Sequence, residues 1–329
     1  MLRTLGVAAA VLALVACKSP PPTGGAPSST PPPSSTPSAV ASAPPPPSAE
    51  PATPTPASDQ PDPARYTWLA DKSQEMPAAV GTLLARFPTP PSYERVKLEP
   101  GSFGAWLREL PLAAPKTPVT SSKGGSVHPG DDQYLGAVVA IDHGKIDLQQ
   151  SPDVVIRLHA EWLWSLGDKN ISYRSATGLD MPASRWARGE RLETQGANVF
   201  WLAKVQAAEL NHAEFRQYLN GVFTWANSTS LAQQAEPVVA AELAPGDFFV
   251  HTKSPGHALL VLDVAKKEDG KLVALFGQGL NPAQSIHVLQ AGRATAWFSL
   301  RPGEPVLTPH TKEFAWEGLR RLGRPKPAE

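Results

Sequence analysis

Cysteine is almost absent: the chain of 329 residues has one, Cys17. A single thiol excludes intrachain disulfides and any cysteine-built metal site. Neither sign of charge is in excess. Thirty basic and thirty acidic residues cancel, whereas nucleic acid or an anionic membrane surface would select a basic surplus. No apolar run reaches the ~20 residues of a transmembrane helix. Among the eight histidines no pair has the His-x-x-x-His spacing of a helical zinc site. His251 and His257 stand six apart across a turn, with Asp263 and His287 further on, so neither a metal nor a cofactor is expected.

What is abundant is proline, with 37 residues, and most of the excess is concentrated near the N-terminus. The first 16 residues read as a targeting signal: Arg3 is the charged end and 5–15 the apolar stretch. Leu14-Val15-Ala16-Cys17 resembles the lipobox of a bacterial lipoprotein, which implies that Cys17 is lipidated with palmitate-type chains and becomes the new N-terminus. Lys18 rather than Asp follows it, which implies the outer membrane, facing the periplasm. Residues 18–65 are Pro, Ser, Thr and Ala with almost no large side chain. Such a stretch buries too little apolar surface to order itself. As polyproline II its 48 residues reach ~150 Å at most, which suits a disordered tether.

Residues 66–329 contain all nine tryptophans and are expected to form one α+β domain, helices first and a small antiparallel sheet second. The spacing predicts helices over 76–87, 103–110 behind a Ser102 cap, 213–226, 230–242 with an interruption near Pro237, and 314–322. Short strands are expected at 136–142 and 171–176. Ser151-Pro152-Asp153 opens a further helix through Trp164, with Ser151 as its N-cap. That helix is apolar nearly all round. Its polar stripe Asp153, Arg157 and Glu161 reads as a solvated edge, or alternatively as a buried charge triad.

The stretch 245–264, P-G-D-F-F-V-H-T-K-S-P-G-H-A-L-L-V-L-D-V, reads as two strands joined by a tight turn. Its second strand opens on His257, just after Gly256, a residue that admits a close neighbour. A third strand over 272–277 ends beside Gln278 and runs antiparallel to the second. His257 and Gln278 are therefore expected at one edge of the sheet. Further strands are expected at 286–289 and 297–300.

A nucleophile at a helix N-terminus, a His on one strand and a polar orienter on the next form the papain-like arrangement. Ser151, His257 and Gln278 fit those catalytic positions, and Gln149 or Gln150 stands ready to donate a further hydrogen bond to bound ligand. Each has a plainer reading: Ser151 as a helix cap, His257 as a structural histidine, Gln278 as a sheet residue. No Gly-x-Ser-x-Gly elbow is present.

The P-G-D…G-H-A-L-L-V pattern resembles the middle of the NlpC-type cell-wall hydrolases, which implies a papain-like fold and a Cys, His and polar residue in that order. A wider resemblance rests on G-S-F-G-A-W-L-R-E-L-P-L, D-L-Q-Q-S-P-D-V-V-I-R-L-H-A-E-W-L-W, G-H-A-L-L-V-L-D-V-A and N-P-A-Q-S-I-H-V-L. These stretches resemble the uncharacterised lipoprotein family of domain of unknown function 4846, which carries no assigned activity. That resemblance implies Cys at the position of Ser151. A serine hydroxyl has a far higher pKa than a thiol and needs a better-placed base.

The expectation is therefore an envelope lipoprotein whose groove binds a cell-wall peptide or glycan, with tryptophans as a stacking surface and residues such as Gln149, Gln150 and Gly256 at the site. The alternative is an active amidase or peptidase using Ser151, His257 and Gln278. A third is a purely structural envelope protein. The partners expected are the membrane, through Cys17, and peptidoglycan or an envelope peptide, not nucleic acid.

Overall fold

A computed structural model describes residues 60–311 and 313–325. The expected signal segment, Cys17 and nearly all of the expected tether lie outside the described residues. Contacts with the domain extend slightly upstream of Tyr66: Arg65 pairs with Glu109 and donates to the Ala105 carbonyl at 3.3 Å.

Four helices and seven strands position the candidate site. In chain order they are α1 (Phe103–Arg108), β1 (Leu135–Val138), α2 (Ser151–Ser165), α3 (His212–Trp225), α4 (Ser228–Gln234), β2 (Glu236–Pro237), β3 (Asp247–His251), β4 (His257–Lys266), β5 (Leu272–Gln278), β6 (His287–Leu289) and β7 (Leu319–Arg321). The strands form an antiparallel sheet in the order β2-β7-β3-β4-β5-β6-β1. Glu94–Arg95 pairs on β4 and Phe298–Leu300 on β5, which brings the sheet to nine strands. The fold is mixed α and β, as expected, with a larger sheet than the sequence suggested.

The sheet is covered on both faces, and alternation along β4 shows how. Ala258, Leu260 and Leu262 join the core cluster that contains Val154, Val155 and Leu158 of α2. Leu259 and Val261 join a second cluster with Phe249, Phe276 and Phe314. A bulge between Val261 and Asp263 then shifts the register, so Val264 packs on the second cluster and Ala265 on the first. One extra residue reverses parity beyond a bulge. It also leaves Asp263 fully buried, where its carboxylate accepts from Arg95 at 2.6 Å and from Arg108 at 2.7 Å.

The hairpin β3–β4 and strand β5 stand where the sequence places them, and so does α3. The Ser102 hydroxyl accepts from the Ala105 N–H and caps α1. Three expected helices differ. The helix over 76–87 shrinks to Leu83–Arg86, because Gly81–Thr82 pairs with Pro111–Leu112 and the Thr82 hydroxyl caps from there. The helix over 230–242 is α4, capped by Asn227 and finished before Pro237 joins the sheet. The span 314–322 contains a short 3-10 turn at Trp316–Gly318 and then strand β7. Apolar spacing over so few residues does not separate helix from strand, and the free edge of β3 decides. Arg321 crosses it to hold the buried Asp247 carboxylate at 2.6 Å.

The polar stripe of α2 is buried, not a solvated edge. Arg157 and Glu161 are fully enclosed and Asp153 nearly so. Arg157 donates to Asp142 at 2.6 Å, to Glu161 at 2.9 Å and to the Gln149 side chain at 2.9 Å. His212 of α3 reaches Glu161 at 2.9 Å and Asp71 at 2.9 Å, while Arg216 holds the second Asp142 oxygen. Asp153 takes no part in this network. Burial alone would raise the Asp142 pKa, but the two arginines outweigh it and hold the carboxyl well below its usual range.

Candidate functional site

A cavity of about 800 Å³ opens where the N-terminus of α2, the β3–β4 turn, α4 and the 308–311 loop meet. Ser151, Gln150 and Asp153 line it from α2, and His251, Gly256 and His257 from the hairpin. Asn227 and Ser228 border α4, Asn281 follows β5, and Phe223 and Phe314 supply apolar walls. Among the described residues that line it there is no tryptophan, lysine or arginine, so the expected tryptophan stacking surface is not here.

Ser151 is the first residue of α2 and not its N-cap, which is Gln150. The reason is visible in its hydrogen bonds. Its Oγ accepts from the Ala258 N–H at 2.8 Å and donates to the Ala258 carbonyl at 3.2 Å. Pairing of β4 with β5 starts only at Leu260. The hydroxyl thus takes the place of a strand neighbour for Ala258 instead of turning back on its own helix. The helix start is secured from the other side, where the Gln150 N–H donates to the Asp153 carboxylate at 3.0 Å.

His257 and Gln278 do meet, as their strand positions require. His257 Nε2 lies 3.2 Å from Gln278 Oε1, and Gln278 Nε2 lies 3.4 Å from His287 Nε2, whose Nδ1 lies 3.1 Å from the Ser285 carbonyl. The direction of this chain follows from its last member. A carbonyl only accepts, so His287 carries its proton on Nδ1 and accepts at Nε2. The Gln278 amide must then donate to His287 and turn its oxygen to His257. His257 is therefore protonated on Nε2, and its Nδ1 carries a lone pair. Burial is the main reason the His257 pKa falls to about 4, partly countered by the Gln278 bond; the nearby His251 lowers it further. Burial likewise brings His287 down to about 4. Both rings are neutral at pH 7.

Ser151 and His257 thus border one cavity but serve different faces of the sheet. Ser151 is tied to Ala258, whose side chain packs with α2. The His257 ring lies 5.6 Å from Phe314, in the second cluster.

Of the three other residues expected to bind, Gln150 lines the cavity and hydrogen-bonds to Asn281 and Asp147, both at 3.3 Å. Gln149 does not line it. Its oxygen is drawn inward by Arg157, and its Nε2 has no partner among the described residues. Gly256 does admit a close neighbour, but that neighbour is the chain's own Ser228. A Cβ on Gly256 would stand 2.0 Å from the Ser228 hydroxyl.

Two lining groups were not singled out for binding from sequence. His251 stands directly opposite His257 in the β3–β4 register, and its Nδ1 is buried without a partner among the described residues. Asp153 Oδ1 is likewise buried and unpaired. The six-residue separation of the two histidines around a tight hairpin was the available signal, since a symmetric register makes such residues cross-strand partners.

No curated protein and no solved structure matches the chain. Residues 83–321, which include every element that lines the cavity, match the model of the domain of unknown function (4846), and the chain belongs to that family.

Proposed function

We propose that this protein is a ligand-binding domain of the cell envelope which captures a peptide in the cavity at the N-terminus of α2, on a papain-like framework without a working nucleophile. One observation carries this reading: the Ser151 hydroxyl gives its proton to the Ala258 carbonyl and accepts from the Ala258 N–H. A nucleophile needs its proton directed at a base, and here the proton points to a carbonyl. The cavity is nevertheless equipped to recognise. Asn227, Asn281 and Gln150 offer amide groups, His251 and His257 offer ring nitrogens, and Phe223 and Phe314 offer apolar contact. That mixture suits an amide backbone with small side chains better than a sugar, for which a flat tryptophan platform would be expected.

The location belongs to the same proposal. Lipid on Cys17 would hold the chain at the outer membrane, and the Pro-rich stretch would let the domain reach the cell wall. Labelled palmitate should enter the wild-type chain and not Cys17→Ser; equal labelling of both would remove the anchor from the reading.

Calorimetry with peptidoglycan stem peptides tests binding, and mass spectrometry of the same mixtures tests cleavage. Binding without products is expected, weakened about tenfold by Phe314→Ala, the loss of roughly 1.4 kcal/mol of contact. Products that disappear in Ser151→Ala would overturn it.

The hydrolase reading keeps one observation in its favour, the orientation of His257 by Gln278 with its Nδ1 lone pair free. In a Cys17→Ser background, Ser151→Cys provides the test through the pH dependence of alkylation. A thiol that titrates near the ordinary ~8.5 supports a binding site. A thiol well below that, restored to normal by His257→Ala, supports an ancestral thiolate–imidazole site.

A further inference from the structure

Segments far apart in sequence bring His128, at the end of strand Ser126–His128, together with Asp132 and His310 beside the buried His287. One ligand atom from each lies within 4.8 Å of the other two. We propose that these three side chains bind a divalent transition cation of the zinc class, which fastens the 308–311 loop to the loop that precedes β1.

The donor set is chemically apt: two imidazoles and one carboxylate suit zinc and its first-row neighbours, with a fourth position left for water. The spacing is apt as well. His128 Nδ1 and Asp132 Oδ2 are 3.3 Å apart. That is long for a charge-assisted hydrogen bond, which runs about 2.7–2.9 Å. It matches the edge of a tetrahedron with bonds of ~2.0–2.1 Å, which is ~3.3 Å.

The ligands are also aimed. The Tyr134 N–H donates to Asp132 Oδ1 at 2.8 Å, which fixes the carboxylate and leaves Oδ2 for the cation. Such outer hydrogen bonds orient metal ligands. His310 has a φ of 65°, the left-handed region that non-glycine residues seldom occupy. That backbone holds its ring 4.8 Å from the His128 ring and edge-on to Tyr134 at 5.5 Å. Local strain of this kind collects at functional sites. His310 is exposed, so its side chain is free to close the last ~1.5 Å to tetrahedral spacing. His287 is not a fourth ligand, because Gln278 and Ser285 already occupy both its nitrogens.

The consequence reaches the cavity. His310, Thr311 and Phe314 form one of its walls, and an ion at His310 would hold that wall against the Asp132 loop. The site itself stands whether or not the cavity binds peptide.

The test is a titration of untagged full-length protein, carrying Cys17→Ser so that no thiol competes, first with Co²⁺ by visible absorption and then with Zn²⁺ by calorimetry. One equivalent should bind. His310→Ala should weaken Zn²⁺ by about 100-fold or more, the scale at which even outer-shell changes act, and Asp132→Asn should do the same. His251→Ala should leave affinity unchanged. His310 is exposed, so its replacement removes no core contact, and an unchanged melting temperature of the metal-free variant checks this. No saturable binding by the wild type overturns the proposal, as does equal affinity in His310→Ala. Loss of binding in His251→Ala alone also overturns it, since the ion would then sit in the cavity.

Discussion

Ser151 commits both hydrogen-bonding capacities of its hydroxyl to one residue, and this makes its role measurable. In Ser151→Ala the Ala258 N–H and carbonyl would remain buried without their partner. An orphaned buried group costs about 1–3 kcal/mol, so a loss of roughly 2 kcal/mol in urea unfolding is expected. A variant as stable as the wild type would show that water or a backbone shift replaces the hydroxyl. Gly256 supports a second experiment at this scale. Gly256→Ala drives a methyl into Ser228 and should cost about 1–3 kcal/mol as overpacking. Combining it with Ser228→Gly should recover most of that loss. A double variant in which the two costs simply add would mean that the strain lies elsewhere.

Among the elements, α2 is held by partners that its own sequence does not contain. The spacing of Asp153, Arg157 and Glu161 was legible, and so was a buried triad as one alternative. Besides Glu161 on the helix itself, the partners of Arg157 are Asp142 and Gln149 before the helix, with His212 and Arg216 closing the network from α3. Those distances are set by packing and leave no local pattern. The hairpin and β5 were legible for the opposite reason. Their alternation, turns and register are local, so the His257–Gln278 contact followed from strand order alone. β7 was not legible, because its form depends on the free edge of β3. The cation site left one local trace, His128 and Asp132 at i and i+4 outside any helix; the His310 contribution is purely tertiary. Arg157→Met tests the network. Removing one partner from a buried pair leaves the rest unpaired and typically costs about 3–5 kcal/mol. A loss under about 1 kcal/mol would mean that Asp142 and Glu161 find other partners in Arg216 and His212.

Across the whole molecule, the buried histidines make stability depend on pH with a definite sign. Burial brings His159 to about 3 and His257 to about 4, against an ordinary value of ~6.5. His159 is enclosed by Phe103, Trp162 and Tyr173, and His257 faces Gln278, Phe314 and His251, so no carboxylate contacts either ring. Below ~6.5 the unfolded chain takes up a proton at each position that the folded chain refuses. Their contribution is therefore complete above ~6.5 and is lost as pH falls toward 4. His212 has the opposite sign. Burial alone would lower its pKa, but Glu161 and Asp71 outweigh that and raise it. Its contribution is complete below ~6.5 and is lost as pH rises through the folded value. Asp142 and Glu161 are held low by their arginines and enter only in stronger acid. Between pH 6.5 and 4.5 His159 and His257 act in the same direction as His287, which burial also holds at about 4, while the buried Asp153 carboxyl, raised well above its usual range, acts against them. Each proton corresponds to at most about 1.4 kcal/mol per pH unit. Urea unfolding of metal-free protein across that window should show stability falling with acid, and His257→Gln should make the slope shallower by up to about 1.4 kcal/mol per pH unit. A slope unchanged by His257→Gln would mean that the His257 ring already carries its proton in the folded state. The Nδ1 lone pair assigned to His257 would then fall with it, since a doubly protonated ring donates from both nitrogens.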